Sequence, residues 1–128
     1  MSMLADGNPF IWIEIPALDL ERAKSFYAAI LDVELQEFDA GELRFAFFPM
    51  QEGAANGTGA LVHHPTMYRP SHDGALVYFA VRDIEAVLAR VERAGGRVFQ
   101  HRKPVGAFGF VGFFEDSEGN RIGLHAKQ

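Results

Sequence analysis

The chain contains no cysteine, which removes disulfides, thiolate metal sites and cysteine nucleophiles from consideration. No stretch approaches the roughly 20 apolar residues of a membrane-spanning helix. The opening MSMLADGNPF has neither the basic n-region nor the apolar h-region of a signal peptide, so the expected location is the cytoplasm. Positive charge is also in deficit: 12 Lys and Arg stand against 17 Asp and Glu, for a formal net charge of −5. Without a basic stripe there is no footprint for a nucleic-acid backbone or an anionic membrane, and the expected partner is a small molecule or another protein. What is present is globular. At 128 residues, 48% hydrophobic and 23% charged, the chain suits one domain with a real core.

The stretch FIWIEIPALDL, starting at Phe10, reads as a strand entering a helix. Ile11, Ile13 and Ile15 form one face, and Phe10, Trp12 and Glu14 the other. The following LERAKSFYAAIL turns to helical spacing, with Leu20, Ala23, Tyr27, Ile30 and Leu31 on one side, Asp19 as N-cap and an end near Asp32. The plan then recurs in ALVYFAVRDIEAVLARVERAGG: Val77 and Phe79 lie on the packed face of a strand, Leu76, Tyr78 and Ala80 lie opposite, Asp83 caps a helix, and Gly95 and Gly96 stop it. Superposing Asp83 on Asp19 aligns Ile84 with Leu20, Glu85 with Glu21, Val87 with Ala23 and Phe79 with Ile15. This is an internal duplication.

Each copy continues with three strand-like stretches: ELQEF, ELRFAFFP and TGALVH in the first, RVFQH, FGFVGFFED and NRIGLH in the second. DAGE and DSEGN supply turn signals. The expected fold class is therefore α+β, with tandem βαβββ modules whose mixed sheets cup a cavity. Module 1 is expected over about 9–64, a Pro-rich polar connector over about 65–73 and module 2 over about 74–126, all in one domain. A ferredoxin-like βαββαβ sandwich is the alternative, but it needs only two strands between its helices, whereas roughly 50 residues separate these two.

The faces turned away from the helices are the candidate site. In the closing strands, Leu61, Ile122 and Leu124 match the packed face, leaving Ala60, Val62 and His64, then Arg121, Gly123 and His125, in front. Large aromatics with one carboxylate, one phenol, one imidazole and very small residues make an apolar wall with a few polar groups. Glu14 is the candidate general acid or base if the cavity closes over it and raises its pKa; a solvated carboxylate, or an ion pair with Arg44 or Arg121, is the plain alternative. His125 would relay a proton at the mouth, or be an idle terminal histidine. Tyr78 aligns with Glu14 in the duplication, and the two are expected to bond across the pseudo-twofold. Tyr68, Arg69 and His72 in the connector would close over a ligand or simply be solvated. His63 and His64 are strand neighbours on opposite faces and cannot share one metal.

Paired βαβββ modules opening with DLERAKSFYAAIL and closing with FFEDSEGNRIGLH resemble the vicinal oxygen chelate superfamily, which includes glyoxalase I, extradiol dioxygenases, fosfomycin resistance proteins and bleomycin-binding proteins. The resemblance runs from about Pro9 to His125 and is greatest to glyoxalase-related proteins of unassigned activity. It implies a homodimer and, in metal-dependent members, His, Gln or Glu at front positions that fall here on Trp12, Ala60, Leu76 and Gly123. None of these four can ligate a metal through nitrogen, oxygen or thiolate, so no metal or other cofactor is expected. Trp12, Ala60, Val62, Leu76 and Gly123 are then pocket-lining residues, and Glu14, His125 and Tyr78 the candidates for catalysis. Three functions stand side by side: a metal-independent binder or proton-transfer enzyme for a small, partly apolar organic molecule; a glyoxalase- or dioxygenase-type metalloenzyme with displaced ligands drawn from Glu14, His64, Tyr78 and His125; and a non-catalytic, resistance-type binding protein.

Overall fold

The computed structural model describes residues 2–128. In chain order it runs β1 (Trp12–Pro16), α1 (Leu20–Leu31), β2 (Gln36–Ala40), β3 (Leu43–Phe47), β4 (Thr58–His63), β5 (Val77–Ala80), α2 (Ile84–Ala94), β6 (Arg97–Pro104), β7 (Phe110–Glu115) and β8 (Arg121–Ala126), with a short 3-10 turn at Gly106–Phe108 before β7. Two four-stranded mixed sheets result, ordered β1-β4-β3-β2 and β5-β8-β7-β6. In each, the strand before the helix pairs in parallel with the last strand of its module, and the remaining pairs are antiparallel. This is the expected pair of βαβββ modules. No described helix is long and apolar enough to cross a membrane.

Capping explains the helix limits. The Asp19 side chain accepts from Arg22 N and the Asp83 side chain from Ala86 N, each satisfying an otherwise orphaned first-turn amide. Both helices end in a left-handed residue: Gly95 closes α2 at φ 111°, and Asp32 closes α1 at φ 55°. Asp tolerates this region better than most side chains. β2 begins two residues later than ELQEF suggests, because Leu35 is drawn into the core and the β2–β3 hairpin tightens around Gly41 and Glu42, with Ala40 opposite Leu43.

The core is shared by both modules. Tyr27 and Phe26 of α1 pack edge to face, and Tyr27 also meets Phe48 of module 1 and Phe79 of module 2, while Phe26 reaches Phe114. The β7–β8 turn then fastens module 2 to module 1 through buried polar groups. Tyr27 donates to Asp116 at 2.6 Å, Asn120 Nδ2 donates to the Pro16 carbonyl at 2.8 Å, and the buried Glu118 carboxylate accepts from Asp19 N and from the Arg22 guanidinium. Burial works to raise the Glu118 pKa, but the bonds from Arg22, Asp19 and Ser117 outweigh it and hold the group below the ordinary carboxylate range. Burial, with the Asp116 charge beside it, pushes the Tyr27 phenol well up.

Because the helices join the modules back to back, the first strand of each sheet keeps an unpaired edge. The expected packing of Ile11 and Ile13 beneath α1 is corrected here: Ile15 is buried, whereas Ile11 and Ile13 are exposed. Alternation reports which side of a strand a residue takes. It does not report that an edge strand overhangs the helix it precedes.

Candidate functional site

The module 1 front is built from aromatic rings. Ala60 lies opposite Phe47 and Val62 opposite Phe45. Those two rings stack at 5.7 Å, Phe38 packs on both, and Trp12 meets Phe47 edge-on at 5.8 Å. Ala60 and Val62 are fully buried yet stand outside the core cluster, since this second, front-side apolar layer covers them. Glu14 is exposed on the same face, with both carboxylate oxygens engaged: Trp12 Nε1 donates to Oε2 at 3.2 Å, and the Tyr68 hydroxyl donates to Oε1. That hydrogen bond, with some burial and the carboxylate charge, raises the Tyr68 phenol above its ordinary pKa. Neither arginine considered for Glu14 reaches it: Arg44 pairs with Glu21, Glu37 and Asp39 on the helix side, and Arg121 lies over Phe113. The connector tyrosine, not Tyr78, is the partner of Glu14.

The module 2 front differs in charge. Tyr78 lies over Gly123, where an added Cβ would come within 2.6 Å of the ring, and meets Phe113 edge-on at 5.7 Å. Arg97, Glu115 and Arg121 stand directly opposite one another on β6, β7 and β8. His72 Nε2 is hydrogen-bonded to Glu115, and its ring meets Phe99. Connector residues thus touch both fronts, Tyr68 on module 1 and His72 on module 2.

Between the open edges of β1 and β5 lies a cleft of about 940 Å³, lined among others by Ile11, Trp12, Ile13, Tyr78, Phe79 and His125. Glu14 is not part of its wall. The His125 ring bonds to the Phe108 carbonyl, and His64 Nδ1 accepts the backbone N–H groups of Thr66 and Met67, capping the start of the connector. His63 turns to the back face and bonds to the Ala17 carbonyl.

The four positions at which the resemblance places metal ligands carry side chains that do not fit a divalent ion. Trp12, Ala60, Leu76 and Gly123 offer no nitrogen, oxygen or thiolate ligand for an ion; Trp12 meets Phe47 edge-on, and Tyr78 lies over Gly123. Of the displaced set, Glu14 bonds to Trp12 and Tyr68, His64 to the connector amides and His125 to the Phe108 carbonyl. Arg97 and Glu115 do not stand out as site residues in the sequence. Their signal was the shared front face of β6, β7 and β8, legible only once the register of β6, which carries irregularities after Val98, is fixed.

The comparisons with known proteins agree with this architecture. The chain is similar in structure to a glyoxalase/bleomycin resistance protein/dioxygenase domain from Frankia sp. EAN1pec, at TM-score 0.74 and 17% identity over 96% of this chain and 100% of that one. It is also similar to a glyoxalase/bleomycin resistance protein from Albidiferax ferrireducens T118, at TM-score 0.64 and 20% identity over 93% of this chain and 98% of that one. Glyoxalase I from Zea mays matches at TM-score 0.67 and 18% identity over 93% of this chain; the chain spans 46% of the maize enzyme's length. No curated protein matches in sequence. The family model of the Glyoxalase/Bleomycin resistance protein/Dioxygenase superfamily matches residues 10–124, and the chain belongs to that superfamily.

Proposed function

We propose that this chain is a metal-independent member of its superfamily that binds a small, partly apolar organic molecule on the front faces of its sheets, with Glu14 as the group available for proton transfer. What supports this reading is the chemistry of the four positions at which the resemblance places metal ligands, which here are Trp12, Ala60, Leu76 and Gly123, with aromatic rings on the same faces. Glu14 is held by two donors on a face otherwise made of rings, so a ligand lying on Trp12 and Phe47 would meet an oriented carboxylate.

A homodimer completes this reading. Phe10, Ile11, Trp12 and Ile13 form a run of exposed large apolar residues along the open edge of β1, and β5 offers a second open edge. Unpaired edges with exposed apolar side chains invite strand pairing with a second copy, which would extend the front face beside Glu14.

The test is a fragment screen by ligand-observed NMR on the wild-type chain and on Trp12→Ala and Glu14→Gln, with light scattering for the oligomeric state. Expected are hits that move Trp12 fluorescence and weaken in Trp12→Ala, in a protein of twice the chain mass. A monomer whose hits ignore both substitutions would overturn the reading.

A further inference from the structure

Every cation of module 1 near a sheet is paired: Arg22 with Glu118, Lys24 with Glu37, and Arg44 with Glu21, Glu37 and Asp39. Among the described residues Arg97 and Arg121 are unpaired, as are other module 2 cations such as Arg82 and Arg93, but these two share the module 2 front on either side of Glu115. Neither has a carboxylate within ion-pair distance among the described residues; each guanidinium lies over a ring instead, Arg97 at 5.0 Å from the Phe99 centroid and Arg121 at 5.3 Å from that of Phe113. The carboxylate standing between them in register, Glu115, is turned to His72. Two exposed guanidiniums are thus held over aromatic rings in a chain that is acidic overall, an arrangement that orients their N–H forks.

From this we infer that the module 2 front binds the carboxylate end of a planar, apolar monoanion, an aromatic carboxylate, between Arg97 and Arg121, with the ring of the ligand against Phe113. The inference rests on the reading of the front faces as ligand-binding surfaces and names the ligand class for one of them. Planar guanidinium forks match a carboxylate in two-point geometry. Cross-strand neighbours lie about 4.8 Å apart, so Arg97 and Arg121 stand roughly 10 Å apart across β7, a span that two long guanidinium side chains reaching inward can bridge to one carboxylate. A dianion such as phosphate would meet added repulsion from Glu115, which favours a single negative charge.

The experiment compares 1-naphthoate with its neutral isostere 1-naphthamide, by calorimetry and by shifts of the arginine Nε–H resonances, on the full chain and on Arg97→Gln and Arg121→Gln. Expected is at least about a tenfold preference for naphthoate, as charge-assisted hydrogen bonds give. That preference should be lost in Arg121→Gln, reduced in Arg97→Gln, and weakened by added salt, with the thermal midpoint of each exposed-site variant near wild type. Arg121→Lys, which keeps the charge without the fork, should recover only part of it. Equal binding of the two probes would overturn the anion site while leaving small-molecule binding intact. A naphthoate preference that survives in both Gln variants would overturn the assignment to these arginines. Binding of neither probe would remove the ligand-binding reading of this face altogether.

Discussion

The two modules share a backbone plan and a back face, and differ in front. Asp19 and Asp83 cap their helices with the same bond, and the strand order of each sheet repeats. Yet the module 1 front is a layer of Phe38, Phe45, Phe47 and Trp12 around one carboxylate, and the module 2 front carries two unpaired guanidiniums on Phe99 and Phe113. Packing constrains the back, where every substitution changes a shared core. The front is free to carry chemistry, and it is there that a duplicated scaffold diverges.

The largest way to break the comparison lies in two glycines. An added Cβ at Gly59 would sit 1.9 Å from the Ile13 carbonyl oxygen, a backbone atom in the β1–β4 pair, whereas at Gly123 it meets only the ring of Tyr78. Tyr78 is 46% exposed and can swing away. Gly59→Ala should cost about 3 kcal/mol or more and loosen β1, and Gly123→Ala under about 1 kcal/mol, by denaturant titration.

Removing the clasp between modules comes next. Glu118→Gln should cost about 2 kcal/mol at neutral pH through its lost charge-assisted bonds. Because the folded-state pKa of Glu118 is lowered from the ordinary 4.5, its contribution is fully present above that value and lost as pH falls through the lower folded one. Acid unfolding curves should therefore show the Gln variant closing the gap to wild type below about pH 4; parallel curves would contradict the assignment.

Smaller and equal effects are expected where the modules are alike. Asp19→Ala and Asp83→Ala should each cost about 1 kcal/mol, measured by thermal melting; a marked inequality would mean the caps are not equivalent. The smallest effect sharpens the front. Glu14→Gln should leave stability nearly unchanged but bring the Tyr68 phenol down toward its ordinary 10.0, because the hydrogen bond to a charged acceptor and the nearby negative charge are what raise it. An ultraviolet titration reads this directly.

Much of the frame was legible in the sequence because caps and periodicity are local. Asp19, Asp83, Gly95 and the TGALVH strand fall where spacing places them. Long-range partners were not legible. DSEGN reads as a turn, and it is a turn, but Asp116, Glu118 and Asn120 also fasten the modules across about a hundred residues of chain, which no local pattern encodes. The duplication pairs Glu14 with Tyr78 by position; the connector instead brings Tyr68 to Glu14, since a Pro-rich segment announces only that it is no helix or strand. Ile11 and Ile13 alternate like core residues but line the open edge of β1.

Under the proposed reading, binding on these faces needs no metal. Elemental mass spectrometry of protein purified without chelator or affinity histidines, followed by thermal melting with added nickel, zinc, iron or manganese, tests it most directly. Expected are less than about a tenth of an ion per chain and no stabilisation by any ion, since a specific ligand must raise the melting temperature by mass action. Near-stoichiometric metal, lost on mutation of Glu14, His64 or His125, would contradict it.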